Sequence, residues 1–120
     1  MTRIRILIAD DHPVVREGLA AMLERQEDMQ VVGDAPDGAA AVAKAAETSP
    51  DVVLMDLRMP VMDGVEAMRA IAARQPSVRF IVLTTYDNDE YIFKGIEAGA
   101  RAYLLKDSPR EELFKAIRAV

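Results

Sequence analysis

The chain has 120 residues, 51% of them hydrophobic, and a formal net charge of -5 from 20 acidic and 15 basic side chains. That length fits one compact domain, and the apolar share is too high for a disordered segment. The acidic balance argues against direct nucleic-acid binding by this segment, since phosphate backbones are gripped by basic patches. The lack of cysteine excludes disulfides and thiolate metal sites. No apolar run approaches the ~20 residues of a membrane span. Aspartates follow the first apolar stretch of MTRIRILIADD at once, unlike a signal peptide. No membrane association and a cytoplasmic location are therefore expected.

Short runs rich in Ile, Val and Leu alternate with stretches of helical period. Strands are expected near Arg3–Ala9, Gln30–Ala35, Val52–Met55, Phe80–Leu83 and Ala102–Leu105. The runs at 52–55 and 80–83 are continuously apolar and the run at 4–9 is broken only by Arg5, as strands covered on both faces should be. Pro13 suits the first turn of a helix whose stripe is Val15, Leu19, Met22 and Leu23. Asp37 is a plausible N-cap for Gly38–Glu47. Asp63–Glu66, Asp87–Glu90 and Ser108–Glu111 have the spacing of a capping box. Gly99 fits the left-handed position that stops the fourth helix, and Leu113, Ile117 and Val120 mark the buried side of the fifth. A β-α unit repeated five times implies a parallel sheet with right-handed crossovers and helices on both faces. There is no internal linker or repeat, and the chain stops at the end of the last helix. It reads either as a whole protein or as one domain of a longer one.

Asp10, Asp11, Asp56, Thr84 and Lys106 each stand at or just past the end of an apolar run. In an open parallel sheet, ligands bind outside the carboxyl ends of the strands. Any one acid at a strand end is most simply a cap or a solvated loop residue, and Asp11 alone reads as the N-cap of the first helix. Four strands delivering complementary groups to one edge are harder to explain that way. Adjacent carboxylates repel unless a cation joins them. Oxygen ligands without cysteine favour Mg²⁺ over zinc, with Mn²⁺ as a substitute. Asp11 and Asp56 are expected to ligate directly, the Arg58 carbonyl to add an oxygen, and Asp10 to act partly through water. Asp56 is expected to face solvent, open to in-line attack, and to become an acyl phosphate. Three carboxylates, Mg²⁺ and Lys106 sum to zero charge. Phosphorylation then adds negative charge that new donors must meet. Thr84, preferred over Thr85 by its strand-end position, is the expected recruit, and Lys106 the point charge on the phosphoryl oxygen. Tyr103 either turns inward when Thr84 moves or packs at the surface. His12 reads as a loop or cap residue and is assigned no chemistry.

As a set, the segments ADDHPVVREGL, VVLMDLRMPVMDG, IVLTTYD and EAGARAYLLKD resemble the receiver domain of two-component response regulators, over the whole chain. The resemblance implies a flavodoxin-like (βα)5 three-layer sandwich with a parallel five-stranded sheet in order 2-1-3-4-5. It implies Asp56 as phosphoacceptor, Asp10 and Asp11 in the acidic metal site, Thr84 and Lys106 as the phosphoryl-sensing pair, and Tyr103 as an aromatic switch. DDHPVVREGL with YLLKD most resembles the NarL/FixJ-like subfamily, whose receivers precede a LuxR-type helix-turn-helix domain. Residues 1–120 would then be the receiver, and a C-terminal DNA-binding domain is expected in the full-length protein. The implied partners are a sensor histidine kinase and a second copy on phosphorylation, with DNA met only through the missing domain. Acetyl phosphate is a candidate small donor. Many receivers have proline after the lysine; Asp107 stands there instead, so a trans bond is expected.

The implied role is a phosphorylation-dependent switch controlling transcription, not an enzyme acting on an outside substrate. Val14, Leu113 and Ile117 are candidates for a dimer surface on the first and fifth helices; the face of helix 4, strand 5 and helix 5 is the other. A metal-dependent phosphatase would want an acid two residues after its aspartyl nucleophile, where Arg58 stands. A flavin-binding domain would want a hydroxyl- or glycine-rich phosphate loop where Asp-Asp-His-Pro stands. An interaction module that is never phosphorylated leaves the acidic set without a purpose.

Overall fold

The computed structural model describes residues 2–84 and 89–120, the side chains of 89–92 excepted. The Asp87–Glu90 box and Thr85 lie outside the described residues. Ten elements alternate: β1 (Ile4–Ala9), α1 (Pro13–Glu24), β2 (Met29–Ala35), α2 (Gly38–Thr48), β3 (Val52–Met55), α3 (Gly64–Arg74), β4 (Arg79–Thr84), α4 (Asp89–Glu97), β5 (Ala100–Leu105) and α5 (Arg110–Ala119). The strands form one sheet in the order β2-β1-β3-β4-β5, parallel at every pairing. The expected topology is therefore found, with strand boundaries moved by one or two residues.

Period-two alternation divides the apolar runs between two cores. Leu7, Ala9, Val53, Met55, Phe80 and Val82 face α2 and α3, where Ala41, Ala45, Ala67, Met68 and Ile71 meet them. Ile6, Ile8, Val52, Leu54, Ile81 and Leu83 face α1 and α5, against Leu23, Leu113, Phe114 and Ile117. A strand buried on both faces has no solvent side to make polar, which is why β3 reads as VVLM without interruption.

Helix starts follow local chemistry in two of the expected cases. Asp37 accepts from the Ala40 N–H at 2.8 Å, and Asp63 from the Glu66 N–H at 2.9 Å. One expectation fails and one alternative reading is excluded. Ser108 does not cap α5, because its N–H closes a turn on the Leu105 carbonyl at 3.0 Å and the helix begins beyond Pro109. Asp11 does not cap α1, because the N-cap residue is His12, next to Pro13 in the first turn. Gly99, at φ +107, ends α4 in the conformation foreseen for it. Among the described residues no peptide bond is cis, so Lys106–Asp107 is trans.

Leu113 and Ile117 are 4% and 1% exposed, so they belong to the core and are withdrawn as surface candidates. Their four-residue spacing turns both toward the sheet. Val14, in contrast, is 81% exposed.

The end of α5 is tied to the α1–β2 connection. Arg118 donates to both carboxylate oxygens of Asp28 at 2.8 and 3.0 Å and to Gln26 Oε1 at 3.0 Å, and its guanidinium lies 5.8 Å from the Phe114 ring centre. The Arg118 hydrogen bond is the main reason the Asp28 carboxyl lies below its ordinary value of 3.8. A depressed folded-state pKa contributes stability above the unfolded value, and that stability is lost as pH falls through the folded one. Asp28→Asn is expected to lower the urea midpoint slightly at neutral pH, as exposed pairs do. The deficit should shrink as pH drops below the ordinary carboxylate value; a pH-independent deficit would refute the ionic origin.

Candidate functional site at the carboxyl edge of the sheet

The register of the central strands decides which side chains meet. Ala9 pairs with Met55, so Asp10 and Asp56 leave the sheet side by side. Ladder bonds continue past the strand ends and hold both: the Asp56 N–H donates to the Ala9 carbonyl and the Asp10 N–H to the Ala35 carbonyl, each at 3.0 Å. One pairing further along, Thr84 lies opposite Leu105, and the Lys106 N–H donates to the Thr84 carbonyl at 2.8 Å. Neighbouring strands stand only about 4.8 Å apart, so consecutive strand ends bring their side chains within reach of one another.

The structure brings Asp10, Asp11, Asp56 and Lys106 together as expected. The Lys106 Nζ lies 2.5 Å from Asp10 Oδ2 and donates to Asp56 Oδ2 at 3.0 Å. Asp10 Oδ1 accepts from the His12 N–H at 2.8 Å, and the Arg58 N–H reaches Asp56 Oδ1 at 3.4 Å. Thr84 is fully buried at the end of β4. Tyr103 sits two residues before the end of β5. It pairs with Val82, is half-buried, and its ring would stand 3.8 Å from a Cβ placed on Gly95 of α4.

Asp56 departs from the sequence reading. It is 4% exposed, not open to solvent, and the Lys106 ammonium lies 3.0 Å from its Oδ2. Burial is the largest influence on its carboxyl and raises its pKa above 3.8, against the opposing hydrogen bond and charge of Lys106. Burial pulls the Lys106 ammonium down, but the hydrogen bonds and charges of Asp10 and Asp56 together outweigh it, leaving it above the ordinary lysine value.

Among the described contacts, the carboxylates of Asp10, Asp11 and Asp56 gather around the Lys106 ammonium, three formal negative charges to one positive. Among the described residues Asp11 Oδ1 is buried without a hydrogen-bond partner, although His12 Nδ1 is 3.0 Å away; the contact is close but not aligned as a hydrogen bond. One ligand atom each from Asp10, Asp11, His12 and Asp56 lie within 4.8 Å of one another. An orphaned carboxylate oxygen in a cluster of that charge fits a hard divalent cation. Sequence reasoning missed two participants. His12 Nδ1 contacts both neighbouring acids, and Arg16 donates to the Asp10 carbonyl at 2.7 Å. The available signal was position: His12 and Arg16 stand four apart across the first turn of α1, directly after the acid pair.

Fold and site together place the chain in the flavodoxin-like class of receiver domains. It belongs to the response regulator receiver domain family, which matches residues 6–118. It is 51% identical over 116 residues to the transcriptional regulatory protein LiaR of Bacillus subtilis (strain 168), covering 97% of this chain and 55% of that protein. It is 45% identical over 118 residues to the oxygen regulatory protein NreC of Staphylococcus haemolyticus (strain JCSC1435), covering 98% of this chain and 54% of that one. The chain thus spans about half the length of these curated relatives. Among solved structures, a LuxR-family two-component response regulator from Aurantimonas sp. SI85-9A1 matches with TM-score 0.92 at 39% identity, covering 98% of this chain and 84% of that one. The response regulator domain of CheB from Thermotoga maritima matches with TM-score 0.89 at 33% identity, covering 98% and 95%. Among the described residues no helix is long and apolar enough to cross a membrane.

Proposed function

We propose that this chain is the phosphorylation switch of a transcription regulator, and that Asp56 accepts the phosphoryl group. The carrying observation is the buried Asp56 carboxylate held by Lys106 beside Asp10 and Asp11. An Asp56 oxygen would attack the phosphorus of a phosphohistidine on a sensor kinase. The O–P bond forms as the N–P bond breaks, and the imidazole leaves with its electron pair. A divalent ion, when bound, neutralises charge on the transferring group. Asp11, Asp56 and the Arg58 carbonyl would hold Mg²⁺ directly, with Asp10 acting partly through water.

Lys106 already lies at hydrogen-bond distance from the accepting carboxylate, so it needs no long excursion to bind the new phosphoryl oxygens. Phosphorylation replaces one negative charge by about two, and the Thr84 hydroxyl would turn to meet the excess. Thr84 ends β4 and Tyr103 packs toward α4 from the neighbouring strand, so this shift would reach α4 and α5. The face of α4 carries Phe93 and Ile96, 64% and 59% exposed. Its repacking would change self-association and thereby a C-terminal DNA-binding domain. Relatives about twice as long, and described as transcriptional regulators, support that arrangement.

The test is intact mass after incubation with acetyl phosphate and Mg²⁺. Wild type should gain one phosphoryl group, and Asp56→Asn none. Equal modification of the variant, or none in wild type, would remove Asp56 as acceptor.

A further inference from the structure

We infer that His12 is a nitrogen ligand of the acidic metal site, which opens that site to Zn²⁺ as well as Mg²⁺. The inference rests on the reading of the acid cluster as metal-holding. His12 Nδ1 is 3.0 Å from Asp11 Oδ1 and 3.2 Å from Asp10 Oδ1. With the Asp56 oxygen included, the four candidate ligand atoms lie within 4.8 Å of one another. Ligands held about 2.0–2.1 Å from Zn²⁺ stand roughly 3–4 Å apart at the corners of its coordination shell. The imidazole nitrogen therefore has the spacing of a fellow ligand. Asp11 Oδ1, buried and without a hydrogen bond, shares the same space.

The backbone fixes where the residue sits. His12 is the extended N-cap residue of α1, ahead of Pro13, and its N–H is tied to Asp10 Oδ1 at 2.8 Å. Ligation at Nδ1 would leave the ring proton on Nε2, and the side chain is 66% exposed. Zinc accepts imidazole readily, whereas Mg²⁺ selects oxygen. His12 should strengthen the first ion and leave the second nearly untouched. Counting oxygen ligands alone, as the sequence invites, understates the range of ions this edge can take.

The experiment titrates tag-free wild type, His12→Gln and Asp11→Asn with Zn²⁺ and with Mg²⁺ by calorimetry, and follows the ring ¹⁵N signals. His12 is the chain's single histidine, so those signals are unambiguous. Zn²⁺ should shift the wild-type Nδ1 resonance strongly. His12→Gln should weaken Zn²⁺ at least about tenfold and Mg²⁺ by a far smaller factor. Asp11→Asn should weaken both ions. Equal Zn²⁺ affinity in wild type and His12→Gln, with Mg²⁺ binding intact, overturns the histidine role but keeps the acidic site. Zn²⁺ binding that survives Asp11→Asn in full also overturns it, since the ion then sits elsewhere. Failure of wild type to bind Mg²⁺ overturns the metal reading itself and this inference with it.

Discussion

Lys106→Met is expected to destabilise the metal-free protein by roughly 3–5 kcal/mol near pH 8, the cost of stripping the partner from a buried ionic cluster. Asp10 and Asp56 are 2% and 4% exposed, and Lys106 is the ammonium that both contact. The deficit should depend on pH in a definite sense. Burial already raises the Asp56 pKa above 3.8, and Lys106 restrains that rise. Without the lysine the folded-state pKa climbs further. A raised carboxyl pKa means that the folded chain holds a proton the unfolded chain has released. Stability from that proton is fully present below the unfolded value and disappears as pH rises through the folded one. The variant should therefore approach wild type near pH 4 and fall furthest behind near pH 8. Mg²⁺ at a hundredfold over its Kd should restore about 2.7 kcal/mol. Urea unfolding across that range, with and without Mg²⁺, measures all of this. A deficit that is flat with pH would show that Lys106 does not neutralise the cluster.

Gly64→Ala is expected to cost about 2–4 kcal/mol, at or above the usual range for overpacking. A Cβ there would stand 2.2 Å from the Asp56 carbonyl oxygen and 2.8 Å from the Leu57 Cα, both main-chain atoms that cannot swing aside. The Gly64 N–H also donates to the Leu57 carbonyl at 2.8 Å, so α3 begins pressed against the segment that presents Asp56. Relief of the clash must move either the helix or the segment that carries Asp56. The variant should lose stability in urea, and its phosphorylation by acetyl phosphate should fall as well. Stability unchanged within about 0.5 kcal/mol would mean the β3–α3 connection yields easily.

The rivals considered from sequence do not gain from the geometry. Arg58, in the place where a phosphatase of this type would want its acid, is a base whose N–H reaches Asp56 Oδ1. The mouth after β1, where a flavin phosphate would enter, is lined by Asp10 and Asp11, both at short range from His12.

Much of this molecule could be read from residue order alone. Apolar runs in β1 (broken only by Arg5), β3 and the Phe80–Leu83 part of β4 announce strands buried on both faces, and the acids, Thr84 and Lys106 at or just past strand ends mark the edge where they gather. Asp37 and Asp63 announce their helices because a cap is a contact across three residues. The strand order came from resemblance, since hydrophobic period says that a segment is a strand but not which neighbour it will pair with.

What required the folded chain is of another kind. Leu113 and Ile117 could be interface or core until the sheet stood beneath α5. Ser108 had the letters of a cap, but the turn onto Leu105 claimed its backbone first. Asp56 looked solvent-facing until Lys106, fifty residues away, lay across it. His12 looked idle until its ring nitrogen was found between two carboxylates. Local pattern determined which segments form and which chemical groups they carry. Burial, pairing and charge balance at the site depend on contacts between residues distant in sequence, and only the tertiary packing decided those.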